Sequence, residues 1–398
     1  MSDNVKNYFK EIPNFLAYFV FSAFIGSMSP ILIEIGKTFT IGPREISLIF
    51  ASISIGGVFG RVTSFFYRIR LNNRHIVISA YTLLSILIII LSQLKNLTLF
   101  FIIYFLSGYL LGIIMVIASE NLLESPVANK ERLITISTSF SPLGSIVFPL
   151  IASALVKNGH DWKYLYYILL FMTVLVIILY LTINRHPRQS SGSVEQKLIF
   201  KGIFTNKKNN VVFVIMSFCI LFYVMAEFII SNWSPTFFRI KGIIDVQGAG
   251  YMLSIFWVLV ILGRFLVSFL AGRIKILYII LILSVVSLVS TVFLILSINS
   301  VSIYIFVGLA GLGYSGLYTM IFYSGSTIYK KGRGTLSTLM LLSSGIGQFI
   351  VSYLTKTVSK YNVSLSMFNG VIFMGILLIL IITVIFYKKR SFSHPSIQ

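Results

Sequence analysis

Residues 363–387 read VSLSMFNGVIFMGILLILIITVIFY, a stretch without a charged side chain that ends at Lys388, Lys389 and Arg390. A helix rising about 1.5 Å per residue crosses a hydrocarbon core of roughly 30 Å within that length. Moving outward from it, the same pattern of long apolar runs separated by short basic loops fills nearly all of the 398 residues. Twelve spans are expected, at 14–36, 46–67, 76–94, 98–122, 134–156, 162–184, 211–237, 248–271, 276–297, 301–325, 336–357 and 363–387. The fold class is therefore an all-α membrane protein.

A chain with 57% apolar and 11% charged residues has too little polar surface to cover a water-soluble core, so the bilayer has to be its solvent. The formal charge of +21 would suggest nucleic acid in a soluble domain, but here Lys and Arg sit almost entirely in loops, and no nucleic-acid partner is expected. The basic residues read instead as orientation signals. The tails and the loops on the side of the N-terminus, with Arg68, Arg70, Arg74, Lys330, Lys331 and Arg333 among them, hold most of these charges. The positive-inside rule then puts both termini in the cytoplasm of a cell (inner) membrane. The start of the chain shows no cleavage-site pattern, so the first span is expected to insert uncleaved. The single cysteine, Cys219, excludes an internal disulfide and a thiolate metal cluster.

The longest polar segment, 185–210, contains RHPRQSSGSVEQK and NKKNN and separates a half at 1–184 from a half at 211–398. It is expected to be a cytoplasmic linker between two six-helix bundles. The halves repeat each other. Gly60-Arg61 matches Gly263-Arg264, Gly108 matches Gly311 and Gly144 matches Gly347, all at an offset of 203, while Ser29-Pro30 matches Ser234-Pro235 within two residues of that offset. Parallel repeats with a site between them are the architecture of a secondary transporter.

Several motifs resemble a known family. YVMAEFIISNWSPTF (223–237) is similar to the seventh-helix pattern of the fucose-permease-like branch of the major facilitator superfamily, which includes TsgA-type proteins. TSFSPLG (138–144), Phe148-Pro149, Asp161-Trp162 and GLGYSGLYT (311–319) are similar to the fifth, sixth and tenth helices of TsgA-type proteins. The resemblance covers nearly the whole chain and implies twelve helices in two pseudo-symmetric bundles, small-solute transport and a monomer by default. Two departures stand out. The superfamily's usual Asp is missing from GRVTSFFYR (60–68) and from GRFLVSFLAGR (263–273), and Ser27 and Ser29 stand near the place of the first-helix acid of fucose permeases. Fucose specificity is therefore not implied.

An ionisable group in hydrocarbon costs about 2.5–3.5 kcal/mol even on mild scales, so it persists only with a partner, a wet cavity or a task. Of the 11 acids, Glu34, Glu120 and Glu227 fall inside expected spans, and the others, Glu11 among them, fall in loops or tails. Glu227 lies well inside the seventh span with Tyr223, Ser231 and Ser234 at helical spacing, one polar stripe facing one way. It is the leading candidate for proton coupling or substrate contact, against a structural Glu bonded to a neighbouring helix. Glu120 lies nearer the cytoplasmic end of the fourth span, where a helix-end acid is the alternative. Glu34, within a turn of Lys37, reads as a solvated helix end. Arg61 and Arg264 occupy equivalent positions and are candidates for gating the cytoplasmic mouth through carbonyl clusters or a neighbouring acid, or for reaching lipid headgroups.

Small and hydroxylated residues recur at helical spacing: Ser22, Gly26 and Ser29; Thr138, Ser141 and Ser145; Tyr314 and Tyr318; Ser344, Gly347 and Gln348. Each alone more often packs helices than binds ligand. Together they line the spans that border a central cavity, and hydroxyls with aromatic rings suit a small, sugar-like polar solute. Asn232 and Trp233 would bond to and stack on such a solute, or Trp233 would anchor at the outer interface. No phosphate-cradling loop, hydrolytic site or cofactor motif occurs, and His75, His160, His186 and His394 fall outside the spans without metal-ligand spacing. The expected function is a proton-coupled secondary transporter working by alternating access, with proton-driven export of drug-like, toxic or chelating molecules as the alternative. A receptor on the same fold and a channel fit less well, since the polar stripe is present and no ring of repeated charges is.

Overall fold

The computed structural model describes residues 8–123, 125–127, 130–183, 206–270, 273–329 and 333–392. Twelve helical spans run through them, counting a broken helix as one: α1 (Ile12–Phe39), α2 (Pro43–Arg70), α3 (Asn73–Gln93), α4 (Leu97–Leu123), α5 (Lys130–Lys157), α6 (Tyr164–Thr182), α7 (Lys207–Ile240), α8 (Val246–Leu270), α9 (Ile276–Ile295), α10 (Ser300–Ser326), α11 (Arg333–Tyr361) and α12 (Val363–Phe392). Every expected span is present. Helix α7 begins at Lys207, inside the segment expected as linker, and linker positions 185–205 lie outside the described residues. His75, expected in a loop, sits in the first turn of α3.

Ten of these spans are long and apolar enough to cross a membrane, whereas α2 offers only the shorter apolar stretch Leu48–Ser64 and α11 is rich in Ser, Thr and Gly. Their polar content has a structural reason. The two helices pack against each other and across the halves, so part of their surface faces protein instead of lipid.

The packing repeats as the sequence does. Helix α2 lies on α4, α1 on α5 and α3 on α6; in the second half α8 lies on α10, α7 on α11 and α9 on α12. Across the halves α2 meets α11 and α5 meets α8, two pairs that a twofold exchange of the halves converts into each other. Glycine is what permits the closest of these approaches. A Cβ on Gly108 would collide with the carbonyl oxygen of Ile53, and one on Gly311 would collide with that of Phe256, the residue 203 positions after Ile53. Gly60 likewise faces the backbone of Tyr109, whereas Gly263 faces the side chain of Ser315. In lipid, where burying apolar surface between helices gains little, such contact surfaces carry the association.

Both halves also break their first helix at the same place. In α1 a 3-10 turn at Ser29–Ile31 interrupts the helix, and in α7 a π-turn at Ile229–Trp233 does, each beside the Ser-Pro pair. Proline lacks the N–H that would complete the helical ladder, and nearby serines return a hydrogen bond to the backbone. Ser27 donates to the carbonyl of Phe24 at 3.2 Å, Ser231 to that of Glu227 at 2.9 Å and Ser234 to that of Ile230 at 2.6 Å.

Gly108→Ala is expected to destabilise the protein by about 1–3 kcal/mol, because the new methyl group must push α2 and α4 apart. Gly375, with nothing within 4 Å of a built Cβ, serves as the control position. Thermal unfolding of the two variants in detergent checks this, and equal melting temperatures for Gly108→Ala and Gly375→Ala would contradict the close α2–α4 packing.

Candidate functional site

Helix α7 presents Glu227 just before its π-turn, half-buried. The Tyr223 hydroxyl donates to Glu227 Oε1 at 2.8 Å and also lies 3.3 Å from the carbonyl oxygen of Tyr314, so its one proton chooses between two acceptors. The Tyr223 ring packs 5.8 Å from that of Tyr314 and 5.9 Å from that of Tyr318. On α8, Arg264 donates through Nε to the carbonyl of Ser315 at 3.2 Å, in the break of α10, and its charge acts on Glu227. Glu227 is thus bonded to an aromatic hydroxyl and lies within electrostatic reach of a guanidinium that itself bonds to a backbone carbonyl, all within one half of the protein.

A small cavity lies between the halves. Phe21 and Ile25 of α1, Ser54 and Arg61 of α2, Leu111 of α4 and Gln348 of α11 are among the residues around it. It has room for roughly one water molecule. Arg61 and Tyr318, from opposite halves, lie within electrostatic reach of each other.

The structure brings Glu227, Tyr223, Tyr314, Tyr318 and Arg264 into one group and places Arg61 and Gln348 at the cavity. The hydroxyls of Ser22 and Ser141 bond to each other between α1 and α5. Ser29 donates to the carbonyl of Asn232 at 2.9 Å, and the Asn232 side chain donates to Ser231 at 2.8 Å. Trp233 stands apart: its indole N–H donates to Ser366 of α12 at 2.6 Å and the residue is 1% exposed, so it neither stacks toward the cavity nor reaches an interface. Glu120 lies in the last turns of α4, next to Ser119, whose hydroxyl pairs with Tyr18 at 2.8 Å.

Two arrangements go beyond what the sequence predicts. Glu34, expected as a solvated helix end, forms a two-pronged ion pair with Arg239 across the halves at 2.6 and 2.8 Å, with both side chains largely covered. Arg239 also reaches the carbonyl of Pro30 at 2.5 Å, and Thr236 reaches that of Ser29 at 3.2 Å. A signal existed. Each residue stands five positions after the serine of its Ser-Pro pair, so the repeat makes Glu34 and Arg239 equivalent, and equivalent positions near a twofold axis face each other. Nearby, Ser254 of α8 donates to the carbonyl of Ile146 of α5 at 2.8 Å. The halves are therefore closed on each other at the end opposite the chain ends.

The second arrangement lies at the chain-end side. Glu11, expected in a tail, is 0% exposed at the start of α1 and accepts from Asn14 and from Ser125, each at 2.7 Å. Asn14 in turn accepts from Tyr180 at 2.6 Å and Asn121 at 3.2 Å. This network ties α1 to α4, α6 and the turn after α4.

Comparison with known proteins agrees with this architecture. A TsgA homolog of Buchnera aphidicola subsp. Baizongia pistaciae is 23% identical over 372 residues, covering 93% of each chain. The solved nucleoside transporter NupG superposes with a TM-score of 0.75 at 16% identity, covering 98% of this chain and 100% of its own. A solved D-xylose-proton symporter gives a TM-score of 0.76 at 13% identity, covering 94% of this chain and 96% of its own. At such identities the structures speak for the fold alone. Residues 15–352 match the Major Facilitator Superfamily, and with twelve spans in two matching halves, this chain belongs to that family of membrane transporters, not to the enzymes.

Proposed function

We propose that this protein is a proton-coupled secondary transporter that exposes one central site for a small polar solute alternately to the two sides of a cell membrane, with both termini in the cytoplasm. The observation that carries the proposal is the Glu227 carboxyl, partly exposed within an otherwise apolar span, bonded to Tyr223 and within electrostatic reach of Arg264. A carboxyl that gains and loses a proton in such a place changes the local charge, and with it the balance between the pull of Arg264 and the cost of an ion in low dielectric. That balance couples proton binding to the facing of the protein, because a ligand shifts an equilibrium by its difference in affinity for the two states. The charge asymmetry of the loops supports the orientation. A D-xylose-proton symporter and a nucleoside transporter share the fold, which is compatible with carriage of a small polar solute.

The two ends of the site have different roles in this reading. The Glu34–Arg239 pair, with the Ser29 and Thr236 contacts beside it, holds the far end shut, and opening that end requires breaking a charge-assisted pair between α1 and α7. The room for roughly one water in the central cavity fits a contracted state that widens when the solute enters.

Glu227→Gln should abolish solute accumulation driven by a pH gradient in proteoliposomes while leaving solute exchange across the membrane measurable. Undiminished pH-driven accumulation in that variant would refute the coupling role. Opening of the far end has its own check. In a Cys219→Ser background, a cysteine placed at Ser29 should react with a membrane-impermeant maleimide several-fold faster when Arg239→Gln is added, and an unchanged labelling rate would remove the ion pair from the gate.

A further inference from the structure

We infer that the solute carries an anionic group, and that this group docks on the guanidinium of Arg61. The inference rests on the transport reading above and adds the charge of the cargo. Arg61 and Arg264 are repeat equivalents, yet the halves treat them differently. Arg264 has the carbonyl of Ser315 as an acceptor and the carboxyl of Glu227 within electrostatic reach. Arg61 borders the central cavity, and among the described residues its guanidinium donates no hydrogen bond and pairs with no acid. Among the described residues, the titratable side chain within its electrostatic reach is the phenol of Tyr318.

The repeat shows what is missing. The offset of 205 that relates Ser29-Pro30 to Ser234-Pro235 puts Ser22 at the position of Glu227, and the offset of 203 puts Phe24 there. In either register the first half lacks the carboxyl that the second half sets near its arginine. A guanidinium stays protonated at any physiological pH, so Arg61 cannot shed its charge as a lysine or histidine would. Its position between the halves also keeps it from reaching lipid phosphate. A permanent cation facing a cavity that opens to each side in turn is an anion site whose counter-charge arrives with the cargo.

The surroundings narrow the class. The Ser54 hydroxyl at the cavity donates to the carbonyl of Phe50 at 2.6 Å, which leaves its oxygen as an acceptor, and Gln348 brings an amide donor from the opposite half. One cation with neutral donors and acceptors fits one singly charged group on a hydroxylated solute. A sugar acid such as gluconate has that chemistry; a neutral sugar lacks the charge, and a small inorganic anion lacks the hydroxyls.

The test uses the full-length protein, purified and reconstituted, with gluconate, lactate, nitrate and inorganic phosphate as anionic probes and glucose as the neutral one, all at equal ionic strength. Wild type should show a saturable rise in melting temperature with gluconate and take up labelled gluconate, with glucose without effect. Arg61→Gln should lower gluconate uptake at least about tenfold, and Arg61→Lys, which keeps the charge but loses the planar fork, should fall between. Both variants must retain the wild-type melting temperature without solute for the comparison to count, and if Arg61→Gln does not, Arg61→Lys with its weakened gluconate shift carries the test. The proposal is overturned if glucose alone is bound and carried, if only nitrate or phosphate acts, if none of the anions raises the melting temperature, or if gluconate acts equally on wild type and the variants. Glucose uptake unaffected by Arg61→Gln would leave the transport reading standing while removing the anion site; a protein that carries none of these solutes while its Glu227→Gln form has wild-type proton permeability would remove both.

Discussion

A charge in hydrocarbon must be answered by another charge, by water or by a dense set of hydrogen bonds, and this protein's interior is organised around its few answers. Arg239 is met by Glu34, Arg264 by Glu227 and a helix-break carbonyl, and Glu11 by side chains from its own helix and from the turn after α4. Each answer joins helices that are far apart in sequence. The Glu34–Arg239 pair joins the two halves, the Glu227 group joins α7 to α8 and α10, and the Glu11 network joins α1 to α4 and α6. The polar contacts thus define which helices are tied together within a half and where the halves are tied to each other.

The apolar packing supplies the rest of the constraint. Helices that share a glycine-to-carbonyl contact, such as α2 with α4 and α8 with α10, approach too closely to slide without separating. Such pairs behave as rigid ribs within each half. The contacts between halves, α2 with α11 and α5 with α8, are the pairs that a twofold exchange maps onto each other, so the two interfaces are equivalent. The breaks in α1 and α7 put the free backbone groups of the Ser-Pro turns at the place where the halves meet, and the hydroxyls of Ser29 and Thr236 use them for contacts between halves.

The spans are legible in the sequence because hydrocarbon imposes one length and one composition on each, and the repeat is legible because glycines and an arginine recur at one offset. That offset carries into three dimensions, since Gly108 on Ile53 and Gly311 on Phe256 are the same contact made twice. Glu227 and Tyr223 stand out because an acid and a phenol one turn apart must face the same way. The sequence is less informative where charge meets charge over long separations. Glu34 has Lys37 on its own helix as the obvious neighbour, and only the twofold relation shows that its counterpart is Arg239. Trp233 departs from the expected solute contact or interface anchor because its indole N–H is taken by Ser366 of α12, a partner 133 residues away that spacing within α7 does not reveal.

The buried carboxyl of Glu11 constrains the order of assembly. During synthesis the first span leaves the ribosome before Ser125 and Tyr180, the residues that later complete its network, have been made. Until then the acid has Asn14 of its own helix as a donor but lacks Ser125 and the side chains that fix Asn14. The start of the first helix therefore gains its full set of side-chain partners only once the fourth and sixth helices are both in place.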